Sequence, residues 1–228
     1  TFHSTYDATG TGFNSSGFPG DAHGISCAGI IRASGNNSTG TSGLAYTSSV
    51  IAVKICNIIN AAGNWNAPGT AISDGINWAY NNADVISNSN NFGSSSSLIE
   101  NAISNAVTLG RNHLGAPFLS SSGNGNSSSI VYPASNPNTI AVGATSMCDQ
   151  RKSPSSCDGE TYWGSDYGTG LDVAAPGVHI YTTDITGSAG YVSGSYNEYF
   201  NGTSAACPMA AGVVALLLSM KPNASNAQ

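Results

Sequence analysis

Apolar residues fall in short bursts along the chain, and their spacing alternates between two periods. Residues 50–56 (VIAVKIC) form a nearly unbroken apolar run of strand length, the pattern of a strand buried on both faces. Residues 70–82 then place Ile72, Ile76, Ala79 and Tyr80 on one stripe, which predicts a helix. The next strand is expected over 84–89 (DVISNS). A second helix is expected over 96–110, with Leu98 or Ile99, Ala102, Ala106 and Leu109 facing in and Gly110 as its C-terminal cap. Further strands are expected over 116–121, 139–144, 171–173 and 178–182. Residues 23–33 read as a helix with small residues on one side, and 203–220 as a closing apolar helix stopped by Lys221-Pro222. Its longest apolar run, Val213 to Leu218, is expected to be one side of a core helix, and Pro208 fits its first turns. Residues 1–22 read as irregular, and the segment between Cys148 and Gly170 as a surface excursion. Alternating strands and helices predict an α/β domain with a parallel sheet, spanning residues 1–228 as one unit.

Composition narrows the function. Lys plus Arg number 6 against 12 Asp plus Glu, a net charge of −6, so no basic footprint for nucleic acid or for an anionic membrane surface exists. No stretch is read as reaching the roughly 18 apolar residues of a membrane span. Ser (35), Gly (28) and Asn (24) dominate, while charged residues make up 8%, so small neutral polar groups must keep the chain in solution. Such residues favour turns and loops, and a loop-rich domain working outside the cytosol is expected. Of five cysteines, Cys148 and Cys157 flank the loop DQRKSPSS, where a local disulfide is expected against the alternative of two free thiols. No Cys/His cluster has zinc spacing.

Three segments could carry chemistry. His23, in Asp21-Ala-His-Gly, sits at a helix start, where it could be a rigid general base or an ordinary cap or surface residue. Ser204, in Asn201-Gly-Thr-Ser, opens the closing helix. There the positive end of the helix dipole favours a developing oxyanion, although an N-cap serine is the commoner use of this position. Asn124, between Gly123 and Gly125 after a buried strand, could aim its amide into a cleft as an oxyanion donor, or be a plain turn residue. Gly40-Thr41-Ser42-Gly43 repeats the Gly-Thr-Ser string, but no apolar helix follows it, so it is read as a turn.

Taken together and in order, these segments resemble the subtilisin-like serine peptidase family (subtilases). The matching residues are His23-Gly24, Ala28-Gly29, Gly123-Asn124, Gly202-Thr203-Ser204, Ala206, Pro208 and Ala211-Gly212. The stretches from Tyr132-Pro133 to Ala144 and Leu171 to Gly177 match as well. The resemblance runs from about residue 21 to the end. It implies a three-layer fold, with a central, mostly parallel sheet and helices on both faces. It implies a serine endopeptidase acting on polypeptides through an acyl-enzyme on Ser204. His23 would be base and then acid, and Asn124 the oxyanion donor. It also implies substrate-binding roles for Ser89, Asn90 and Asn91 on one edge and Ser121 and Gly123 on the other. Asp172, with the carbonyls of Pro137 and Thr139, is the set implied for a structural calcium, and no other cofactor is required.

The chain departs from the family at several points. The triad Asp is expected about 30 residues before the His, but only 22 residues precede His23. Asp7 lacks an apolar strand before it, and Asp21 reads as a helix cap. The Asp-bearing strand is therefore expected upstream of Thr1, or from a separate N-terminal segment or propeptide. Ile25 stands in place of the family's Thr, and Asn90-Asn91 replace the usual apolar and glycine residues of the substrate edge. Cys27, one turn after His23, reads as a small buried hydrophobe, as does Cys207. A catalytically silent relative or fragment that binds or scaffolds is the alternative to an enzyme. A glycan-binding or adhesive domain explains the composition but not the ordered motifs, and an α/β-hydrolase is disfavoured because no G-x-S-x-G occurs.

Overall fold

In the computed structural model the described residues are 3–12, 22–58 and 65–227. The centre is a parallel sheet of four strands, β5 (Ile86–Asn88), β6 (Phe118–Ser121), β7 (Ile140–Thr145) and β8 (Val173–Pro176), ordered β5-β6-β7-β8. In β6 the side chains alternate between faces. Phe118 joins a cluster with Ile72, Ile76, Ile99, Ala102, Ile103 and Ala106, from helices α2 (Gly69–Asn82) and α3 (Ser97–His113). Its neighbour Leu119 faces the other way, packing with Val142, Ala206, Cys207 and Ala211 of β7 and helix α4 (Thr203–Met220). Helices therefore cover both faces, giving the three-layer arrangement.

The buried stripe of α3 is Ile99, Ala102, Ile103 and Ala106, whereas Leu109, expected to face in, is exposed; Gly110 ends the regular part of the helix, for there ψ turns to 157°, and Arg111 and Asn112 follow at positive φ. Helix α1 (Ala22–Arg32) starts at the expected place, while Asp21, read as its cap, lies outside the described residues. The strand over 50–56 appears as β2 (Ile51–Lys54), followed by a short hairpin of β3 (Asn57–Ile58) and β4 (Trp65–Asn66).

Four further expectations are corrected by the fold. Residues 4–7 are not irregular: β1 (Ser4–Asp7) pairs in parallel with β2, Ser4 opposite Ile51 through Asp7 opposite Lys54. The strand expected over 178–182 extends as β9 (Ile180–Gly187) and turns back as β10 (Gly194–Phe200), an antiparallel hairpin. Helix α4 also differs from a helix with a wholly buried apolar side. Its first half is buried against the sheet, but Val213, Leu216, Leu217 and Met220 are exposed. With 18 residues and a mean hydropathy of 1.7, it is long and apolar enough by composition to cross a membrane, contrary to the expectation that no stretch reaches that length.

Helix α1 lies on β9 with glycine at the closest approach. A Cβ on Gly29 would stand 2.2 Å from Thr183 Oγ1, 2.6 Å from Thr182 Oγ1 and 2.9 Å from the Thr183 backbone nitrogen. Those hydroxyls are committed, Thr182 Oγ1 donating to Ser26 O (2.7 Å) and Thr183 Oγ1 to Ile25 O (2.9 Å). Gly29→Ala is expected to lower stability by about 2 kcal/mol, the overpacking cost less the helical gain of alanine. A urea melt checks this, and a variant as stable as the parent would show that α1 can shift freely on β9.

Candidate active site

His23, in the first turn of α1, is half-buried, with its ring edge-on to Trp65 (centroids 5.5 Å) and to Phe200 (5.6 Å). Its Nδ1 lies 3.9 Å from Cys27 Sγ, one helical turn on, and that thiol donates to the Ser204 carbonyl at 3.4 Å. Cys27 thus links the His23 ring to the turn that bears Ser204. Loss of hydration holds His23 down at about 4, so the ring is neutral and able to accept a proton at neutral pH. The same cause raises Cys27 to about 12 and Cys207 to about 11, so neither thiol is an ionised nucleophile.

Ser204 opens α4, whose N-cap Gly202 has φ 113°, a conformation suited to glycine. Its Oγ donates to Ser89 O at 3.4 Å, and Ser89 Oγ donates back to Ser204 O at 3.1 Å. Below this pair, Cys207 Sγ contacts Asn88 O at 3.4 Å. The end of β5 is therefore bolted to the first turn of α4.

Asn124 follows β6, and its Oδ1 accepts from both Thr203 N (2.8 Å) and Thr203 Oγ1 (2.9 Å). With the oxygen fixed, Nδ2 is the group left to donate; a Cβ on Gly202 would lie 3.2 Å from it. Thr203, to which the sequence assigns no role of its own, sets this orientation. On the far side, Asn201 Nδ2 donates to Glu160 Oε1 (2.6 Å), and Trp163 Nε1 to Glu160 Oε2 (2.6 Å). His179 Nε2 lies 3.2 Å from Glu160 Oε1. Glu160 and Asn201 cannot be found from spacing, because they meet only when a loop folds back.

The other expected site residues are placed as follows. Ser89 touches Ser204, as described. Asn90 O accepts from Asn88 Nδ2 at 2.7 Å, while its buried Oδ1 has no partner. Asn91 is exposed and its Oδ1 accepts from Gly93 N. Ser121 is buried within β6, and Gly123, at φ 110°, receives Asp166 close by: Asp166 N donates to Gly123 O at 2.9 Å. Asp7 is not brought to His23. Its carboxylate caps its own turn, accepting from Thr9 N, Thr9 Oγ1 and Gly12 N. Burial raises its affinity for a proton, but those bonds and Lys54 outweigh it and hold its pKa below the ordinary value. Among the described residues no carboxylate lies within ion-pair distance of His23.

Asp172 Oδ2 is the acceptor of Ala141 N at 2.8 Å, Thr139 is buried and Pro137 exposed, and no group of three acidic, His or Cys ligands forms among the described residues. The expected disulfide is present, joining Cys148 and Cys157; Cys27 and Cys207 are free thiols.

His23 at one helix start, Ser204 at another and Asn124, its amide oxygen clamped by Thr203, stand on a three-layer α/β fold. The subtilase family model matches residues 5–228, and the chain belongs to that family. M-protease of Shouchella clausii strain KSM-K16 is 36% identical over 92% of this chain and 48% of its own length. Subtilisin of Bacillus pumilus is 38% identical over 92% of this chain and 67% of its own. Among solved structures, a protease of Pseudoalteromonas arctica PAMC 21717 superposes with a TM-score of 0.71 at 31% identity, over 90% of this chain and 60% of that one. The chain spans about half the length of M-protease and similar curated relatives.

Proposed function

We propose that this site hydrolyses peptide bonds by acyl transfer, as a serine endopeptidase. Ser204 Oγ attacks the substrate carbonyl carbon, and His23 takes the hydroxyl proton as the new C–O bond forms. The carbonyl oxygen becomes an oxyanion held by Asn124 Nδ2 and the Ser204 backbone N–H at the start of α4. His23 then gives its proton to the leaving amine as the C–N bond breaks, and water, activated by the same ring, releases the acid. The observation that carries this reading is the clamp of Asn124 Oδ1 by Thr203, which turns the amide donor towards the turn bearing Ser204.

Substrate would lie as an extended chain between Ser89-Asn90-Asn91 and Ser121-Gly123. The Cys148–Cys157 disulfide favours a place outside the cytosol. A second reading, a catalytically silent relative that binds polypeptides, is favoured by one observation: His23 lacks a carboxylate partner among the described residues.

Fluorophosphonate labelling with peptide mapping separates the two. A single adduct on Ser204, lost in Ser204→Ala, is expected. Folded protein that takes no adduct would favour the silent relative.

A further inference from the structure

Three nitrogens converge on the carboxylate of Glu160, whose side chain is only 12% exposed. Asn201 Nδ2 donates to Oε1 and Trp163 Nε1 to Oε2, each at 2.6 Å, and His179 Nε2 lies 3.2 Å from Oε1. The backbone of Glu160 is tied as well, its carbonyl accepting from Lys152 Nζ at 2.6 Å. Asn201 is gripped at both ends of its amide. His179 N donates to Oδ1 at 2.6 Å, so Nδ2 is the end turned to Glu160. An inverted amide would set two donors against each other at His179. The next residue, Gly202, donates through its backbone nitrogen to Gly177 O at 2.9 Å and turns the chain at φ 113°. Thr203 follows, holding Asn124 Oδ1 through its own N (2.8 Å) and Oγ1 (2.9 Å). A continuous series of hydrogen bonds and three peptide units therefore runs from Glu160 through Asn201 to Ser204 and to the Asn124 amide.

We propose that Glu160 is a positioning residue for both the nucleophile and the oxyanion donor, acting through Asn201. The chemistry calls for a carboxylate. Asn201 Nδ2 and Trp163 Nε1 can only donate, so the side chain between them needs an acceptor at each end. A glutamine offers one oxygen and one NH2, and whichever way it turns, one donor meets another. With little water near to replace the lost partner, Asn201 or the loop must move. Only Gly202 and Thr203 separate Asn201 from Ser204, so a displaced Asn201 shifts the turn and loosens the grip of Thr203 on Asn124. A misplacement of about 1 Å at reacting groups is worth up to about 100-fold in rate. The placement of the turn stands on these distances alone, whereas its effect on acylation rests on the function proposed above.

The test compares Glu160→Gln with the parent in fluorophosphonate labelling of Ser204 and in the NMR resonances of the Asn124 side-chain amide. The variant should label about 10- to 100-fold more slowly, through a lower limiting rate at unchanged reagent affinity. Its Asn124 Nδ2 resonance should shift. In an Asn124→Asp background the same substitution should slow labelling at least about threefold less than in the parent, because the amide it aims is gone. Trp163→Phe is the control: it removes the donor to Oε2, keeps the Asn201 bond and should leave the labelling rate close to the parent's. Should Glu160→Gln not fold, Asn201→Ala removes the same link and takes its place in every comparison. Labelling at the parental rate, or an unmoved Asn124 resonance, would overturn the proposal. So would a Trp163→Phe variant as slow as Glu160→Gln, or penalties that simply multiply with Asn124→Asp. A parent that takes no adduct would instead overturn the function proposed for Ser204, and the Asn124 resonance would then decide the positioning by itself.

Discussion

Lys152→Ala should cost about 3–5 kcal/mol of folding stability. Its ammonium is fully buried and sits 3.1 Å from the equally buried Asp158 Oδ1. It also donates to Ser153 O (2.9 Å) and Glu160 O (2.6 Å), with the Trp163 ring 5.2 Å away. Removing the cation strands a carboxylate whose other oxygen, Oδ2, is buried without a partner. Two charges taken out of water together are tolerable; one left alone is not. The double variant Lys152→Met with Asp158→Leu should therefore recover most of the loss, which chemical denaturation would show. If the single variant lost under 1 kcal/mol, water or a shifted loop would have to be solvating Asp158. The site should feel the change as well, because Glu160 lies in this loop and binds Asn201, three residues before Ser204.

Asn124→Asp should lower the rate of Ser204 acylation by about 10²–10³-fold while leaving thermal stability nearly unchanged. That magnitude is the general one for removing a single oxyanion donor, established on a subtilisin relative rather than obtained from this chain. The substitution isolates the donor. The retained Oδ1 can still accept from Thr203 N and Thr203 Oγ1, so the clamp survives and only Nδ2 is exchanged for an oxygen. Active-site titration of parent and variant under one set of conditions gives the ratio. A fall below about fivefold would mean that the amide faces away from the developing charge.

Much of this site is legible in the amino-acid sequence alone. His23, Asn124 and Ser204 sit beside glycines whose places in a turn or close contact are read from local sequence, and α2 and α3 declare themselves by a stripe of period near 3.6. Strand β1 escapes such a reading because STYD alternates nothing apolar; only its pairing with β2 makes it a strand. β10 (GSYNEYF) escapes it for a related reason, since it is held by its hairpin partner and not by burial of one face. The exposure of Leu216 and Leu217 on α4 is a tertiary fact, set by where the sheet ends. The clamping role of Thr203 and the role of Glu160 carry no signal in sequence at all. Their importance is a matter of which groups a folded loop brings within 3 Å.

The fastening of α1 to β9 has a consequence for the order of events in folding. The hydrogen bonds that hold the His23 helix join Ile25 and Ser26 to Thr183 and Thr182, separated by 156–158 residues, and Cys27 meets Ser204 across 177. Contacts of such separation form late and slowly, because the chain between them must first be gathered in. As the polypeptide leaves the ribosome, the His23 helix and the turn bearing Ser204 cannot meet until nearly all of these residues have emerged. The nascent chain is thus kept without an assembled site by its own topology, and reactivity, where it arises, is a property of the finished chain.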